Sequence, residues 1–167
     1  NSPNNPSGQI CENLEEIAVI AKKYNLIILS DEIYSELSFM DNYQSISNFC
    51  PEKTIISTGL SKWCGAGGWR LGYFLVPDSL IEIKNMINVL ASETFSAVSA
   101  PIQYAAIKAY EHDHSNYINK SKNILSAIGN YVYENLRSNK VLINKPQGGF
   151  YLMPEFLNKK FNSSSEM

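Results

Sequence analysis

Arginine is almost missing from this sequence: of fourteen basic residues only Arg70 and Arg137 are arginines. Sixteen acidic residues leave a formal charge of −2, with lysines and acids interspersed, so there is no basic stripe for nucleic acid. No apolar run approaches the roughly 20 residues of a membrane helix, and the opening NSPNNPSGQ has neither the basic start nor the apolar core of a signal peptide. Cys11, Cys50 and Cys64 form no CxxC pair, which excludes a disulfide framework and a cysteine zinc site. Three free thiols suit a reducing cytoplasm. His112 and His114 form an HxH without a third ligand type nearby, so a solvated helix junction is expected there rather than a metal site. The sequons at Asn119 and Asn162 carry little meaning without a secretory signal.

What is present is 44% hydrophobic residue in short, well-separated runs, the mark of a globular chain. Residues 1–9 are turn material. From Glu12 to Tyr24, Leu14, Ile17, Ala18 and Ala21 recur at helical spacing. LIILS (26–30), TIIS (54–57) and GYFLV (72–76) read as short strands, the first as one buried on both faces. Helices are expected over 79–90, from Pro101 to about Glu111, and from about His114 to Arg137, with Asp113 as a helix-start residue. KVLINKPQGGFYLM (140–153) reads as strand, turn, strand. Helices alternating with buried strands predict an α/β fold with a largely parallel sheet. The change of texture near residue 113 predicts a second domain, giving 1–112 and 113–167. The chain opens inside a loop and stops soon after that change, so a segment of a longer protein is expected, with a frayed Asn-Ser-Ser-Ser-Glu tail.

In parallel sheets ligands gather at the carboxyl ends of the strands. Asn5 precedes the first helix, Asp31 follows the first strand and Lys62 follows the second, so an amide, a carboxylate and an amine are expected on one rim. Asp31 also suits a helix cap, with Tyr34 on the same side of the first turn. Lys62 sits beside Trp63 and Cys64, and a lysine among apolar groups is expected to lose proton affinity, which favours Schiff-base chemistry. Between Lys62 and Arg70 lie Gly65, Gly67 and Gly68. They fit neither GxGxxG nor a P-loop, but they allow the backbone to turn back and carry Arg70 towards Lys62. The planar guanidinium suits a phosphate. A Schiff-base lysine beside a phosphate-binding arginine points to pyridoxal phosphate.

Four motifs then stand in order: NNPSG (4–8), SDEIY (30–34), SKWCGAGGWRLGY (61–73) and PQGGFYL (146–152). Together they resemble fold-type I pyridoxal-phosphate-dependent aminotransferases of class I/II. The resemblance implies a three-layer, mostly parallel large domain, present in part, followed by the start of an α+β small domain. It implies that Lys62 forms the Schiff base and moves the proton, and that Asp31 holds the ring nitrogen protonated. By the same resemblance Asn5 and Tyr34 bind the ring oxygen, while Ser61 and Arg70 bind the phosphate. Amino acid and 2-oxo acid substrates and a homodimeric parent are implied as well. Departures are Gly59, where many relatives carry serine, and Ser7 in place of the commoner threonine. The ring-stacking aromatic and the carboxylate-clamping arginine of such enzymes have no counterpart here, so this chain alone is expected to be inactive. The Ser96–Pro101 stretch resembles one that faces the partner subunit, and its lack of arginine disfavours an aspartate-type substrate. A related lyase or synthase, or a non-catalytic ligand-binding domain, is the alternative reading.

Overall fold

A computed structural model describes residues 1–157; Asn162 and the serine-rich tail lie outside the described residues. Helix α1 (Leu14–Lys23) carries Glu15 and Glu16 in its first turn and Lys22 and Lys23 in its last, each sign matching the helix dipole. Its buried residues are the small Ala18 and Ala21. The helix ends because Asn25 takes a left-handed conformation (φ 53°). There Leu26 N–H donates to the Ala21 carbonyl at 2.8 Å and Asn25 N–H to that of Lys22 at 3.3 Å, the paired bonds of a Schellman cap.

Strand β1 (Ile28–Asp31) runs parallel to β2 (Thr54–Gly59), with Ile28 opposite Thr54 and Asp31 opposite Ser57. Strand β3 (Gly72–Leu75) pairs with the other side of β2 in the antiparallel sense, Gly59 facing Gly72. The α/β class therefore holds, whereas the expected parallel run is broken at β3. The physical reason is the connection. Residues 60–71 form a loop without a crossover helix, and parallel neighbours require such a crossover. Gly59 lets that loop close, since a β-carbon there would lie 2.5 Å from the Leu71 carbonyl oxygen. The expectation that LIILS is buried on both faces also fails. β1 forms one edge of the three-stranded sheet, with Leu29 65% exposed and Leu26 and Ile27 about half exposed.

After a short turn over Asp78–Leu80 come α2 (Ile81–Thr94), which ends four residues later than expected, and α3 (Ala100–Glu111), with Pro101 in its first turn. Helix α4 (Ser115–Leu136) starts where Asp113 indicated: the Asp113 carboxylate accepts from Ser115 N–H at 2.8 Å and from the Ser115 hydroxyl. The HxH junction differs from its reading, because His114 is half-buried with its ring 5.6 Å from that of Trp63. A hydrophobic cluster of Leu60, Trp63 and Ala106, flanked by Cys64, Leu71, Ala109 and Ile118, joins the 60–71 loop to α3 and α4. The loop that carries Lys62 is thus anchored by the residue next to it.

The segment 140–153 is not the simple strand-turn-strand expected. Among the described residues β4 (Val141–Leu142) pairs antiparallel with β5 (Glu155–Phe156), and Gly148 makes a single antiparallel bridge to Ser38. The chain between them lies across the opening loop and the 37–39 segment. Gln147 N–H donates to the Gly8 carbonyl (2.8 Å), Phe39 N–H to that of Gln147 (2.8 Å) and Gly149 N–H to that of Leu37 (3.0 Å). A run of Pro, Gln and two glycines can satisfy its backbone on other segments without the bulk that would hold them apart.

Candidate functional site

Asp31 ends β1 and faces two ways. Its Oδ1 accepts from Ile33 N–H at 3.2 Å, a local Asx turn. Its Oδ2 accepts from Asn1 Nδ2 at 3.0 Å, and Ser2 N–H donates to its carbonyl at 3.1 Å. The turn role and the place on the rim therefore coexist. The helical turn expected after it is a short 3-10 turn, Ser35–Leu37. Tyr34 precedes that turn and is 4% exposed.

Around Tyr34 the site draws together. Phe150 meets its ring edge-on at 5.4 Å between centroids and Tyr151 does so at 5.7 Å, while the Tyr34 hydroxyl donates to Tyr151 Oη at 3.2 Å. Lys62 Nζ lies 5.6 Å from the Tyr34 ring centroid and 5.5 Å from that of Phe150, so the amine sits against two aromatic faces. The Tyr34 phenol is pushed well above its ordinary value, first by burial and then by the Tyr151 hydrogen bond and charge. The Asn5 amide pulls the other way and the Asp31 carboxylate adds to the rise. Asn5, Asp31, Tyr34 and Lys62, drawn from three separate stretches, thus act on one small volume. Asn5 itself is exposed, with its N–H donating to Asn1 Oδ1 at 2.6 Å.

The glycine loop turns back as its composition suggests. Gly65 takes φ +65°, Gly65 N–H donates to the Lys62 carbonyl at 3.2 Å, and Ala66 N–H donates to that of Leu60 at 3.3 Å. This brings Gly67 against Ser61: a β-carbon on Gly67 would lie 3.5 Å from the Ser61 carbonyl oxygen. Arg70 Nη1 then donates to the Gly67 carbonyl at 2.7 Å. Arg70 is exposed and its backbone is left-handed (φ 57°), a conformation that costs a side-chain-bearing residue about 1 kcal/mol.

Four contributors escaped the sequence reading. Asn1 holds Asp31, while Phe150 and Tyr151 wall Lys62 and Tyr34. The fourth is Glu32, which is 6% exposed. It accepts from Ser30 Oγ at 2.9 Å and Ser45 Oγ at 2.6 Å, fixing the turn that follows Asp31. Phe150 and Tyr151 lay within the PQGGFYL motif and Glu32 within SDEIY, but none of them carried a role in that reading.

The sequence pattern of the family described as aminotransferase class I and II matches residues 1–166. The chain is 35% identical to an aspartate aminotransferase of Thermotoga maritima, over 91% of this chain and 40% of that protein. It is 33% identical to a probable N-acetyl-LL-diaminopimelate aminotransferase of Bacillus subtilis, over 98% of this chain and 40% of the relative. An alanine aminotransferase structure from Pyrococcus furiosus superposes with a TM-score of 0.87 at 32% identity, covering 99% of this chain and 43% of that one. An aromatic aminotransferase from Pyrococcus horikoshii gives a TM-score of 0.82 at 32% identity, over 92% of this chain and 42% of that one. The chain thus spans about 40% of the length of the curated relatives it matches. With four motifs, the α/β fold and this match agreeing over nearly every residue, the chain belongs to the class I and II aminotransferase family.

Proposed function

We propose that this chain is the cofactor-binding part of an aminotransferase that moves an amino group between an amino acid and a 2-oxo acid, using pyridoxal phosphate. The observation that carries this reading is the Lys62 amine held against the Tyr34 and Phe150 rings, with Asn5 and Asp31 acting on the same tyrosine. The donor set matches the group: an amine for its aldehyde, a carboxylate for its ring nitrogen, an amide and a phenol for its ring oxygen, and a guanidinium with a serine for its phosphate. When bound, pyridoxal phosphate supplies an aldehyde for amine exchange and a ring that takes up negative charge from the substrate's α-carbon.

Lys62 would hold the group's aldehyde end through its amine, and its Nζ would serve as the proton carrier of the reaction. Asp31, steadied by Asn1, keeps the ring nitrogen protonated. Tyr34 and Asn5 orient the ring oxygen. Ser61 and Arg70 would bind the phosphate. Residues 1–112 form the cofactor-binding unit in this reading and 113–157 begin a second unit whose 147–151 stretch reaches back over the site. The exposed apolar face of α2, with Met86, Val89 and Leu90, supports a dimeric protein. The free cysteines support a cytoplasmic one.

The test is borohydride reduction of the full-length protein loaded with pyridoxal phosphate, followed by peptide mapping. The label is expected on Lys62, with amino transfer lost in parallel; label on another lysine refutes the assignment.

A further inference from the structure

The hydroxyl of Tyr34 has one hydrogen to give, and in this structure it is given to Tyr151. The acceptor is well fixed. Gly149 N–H donates to the Leu37 carbonyl, and Gly149 takes φ +70° beside the Tyr34 ring, where a β-carbon on it would lie 3.7 Å from Cδ1. The Tyr151 backbone lies hard against Gly8, where a β-carbon would come 2.5 Å from the Tyr151 carbonyl oxygen. The two rings stand at 89°, so the hydroxyls meet edge to edge rather than by stacking. The Asn5 amide favours a negative charge on the same phenol. Two neighbours therefore compete for the state of a single hydroxyl.

We propose that Tyr151 is a positioning residue for Tyr34: it holds the Tyr34 proton in the resting site, and a ligand with an anionic ring oxygen beside Asn5 has to draw that proton away from it. This rests on the functional reading above. The exchange changes hydrogen bonds alone. The O–H···O bond from Tyr34 to Tyr151 breaks, one from Tyr34 to the ligand oxygen forms, and the Tyr151 oxygen is left to water. Tyr151 thereby sets how readily the site accepts an oxyanion. The cost to such a ligand is one hydrogen bond.

The experiment uses the full-length protein and its Tyr151→Phe variant, with the thermal midpoint as the check on folding. Ring-¹³C-tyrosine NMR at neutral pH, without ligand, follows the Tyr34 Cζ resonance, assigned with Tyr34→Phe. That resonance is expected to move in Y151F; a resonance that stays in place overturns the proposal. Binding is then measured for pyridoxine 5′-phosphate, which has the ring oxygen but no aldehyde, and for its 3-deoxy counterpart. Y151F is expected to bind the first about 2- to 10-fold more tightly, the worth of one released hydrogen bond, and the second unchanged. Equal gains for both, or a gain for neither, overturn the proposal. Failure of wild-type protein to bind either compound overturns the functional reading instead, and the Tyr34 resonance still decides whether Tyr151 holds its proton.

Discussion

Lys62 and Phe150 meet although one follows a central strand and the other lies near the end of the described chain, the amine standing 5.5 Å from the ring centroid. The lysine is thus held from both sides, by Trp63 buried beneath its loop and by aromatic rings above. If the amine does the chemistry, its removal cannot be compensated locally. Lys62→Ala in the full-length protein is expected to lower kcat by about 10⁴-fold or more, the combined worth of nucleophile and proton carrier. A single-turnover amino-transfer assay checks this, with far-UV circular dichroism confirming the fold.

Arg70 separates stability from binding. Its left-handed backbone suits glycine, so Arg70→Gly is expected to stabilise the fold by up to about 1 kcal/mol. The same change removes the guanidinium and is expected to weaken binding of pyridoxal phosphate by about 10-fold or more. Urea melts of cofactor-free protein and fluorescence titration with the cofactor give the two signs independently. A variant both less stable and unchanged in affinity would contradict the role given to this residue.

Gly148 is packed shut. A β-carbon there would lie 2.6 Å from Pro3 Cγ and 3.1 Å from Ser38 Cα. Neither the proline ring nor the backbone yields easily, so Gly148→Ala is expected to cost about 1–3 kcal/mol in a denaturant melt. Gly68, where a β-carbon meets nothing within 4 Å, is the matched control and is expected to tolerate alanine.

Alkaline pH bears on three tyrosines. Tyr34, Tyr43 and Tyr73 are all pushed above their ordinary value near 10, in each case first by burial. A hydroxyl harder to ionise in the folded state keeps its proton there while the unfolded chain gives it up. Their contribution is therefore complete below about pH 10 and is lost as pH rises above that value. Thermal midpoints measured from pH 8 to 11 should hold level and then fall steeply. Tyr43→Phe, with Tyr43 half-buried beside Glu32, should soften the fall.

The alternation of helices with short strands and the order of four motifs were readable from residues alone, because each depends on local periodicity or on chemistry carried by a few side chains. Asn5, Asp31 and Lys62 could be placed on one rim because topology, rather than detail, takes them there. The sense of β3 was not drawn from the sequence, although the glycines between Leu60 and Leu71 already marked that segment as a loop rather than a crossover helix. The exposure of Leu29 was equally hidden: an apolar strand looks the same in the centre of a sheet and at its edge. Asn1, Glu32 and Tyr151 contribute through partners far along the chain, and no spacing rule connects Tyr34 with Tyr151.

The seam formed by Phe39, Gln147 and Gly149 also has a kinetic meaning. Its three amides are bonded between segments, outside the β1–β2–β3 ladder. When the 147–151 stretch lifts, these protons become exchangeable together while the sheet's remain protected. Such an opening would also part Phe150 from Lys62 and Tyr151 from Tyr34, so the protection of that small set of amides measures the free energy of uncovering the lysine.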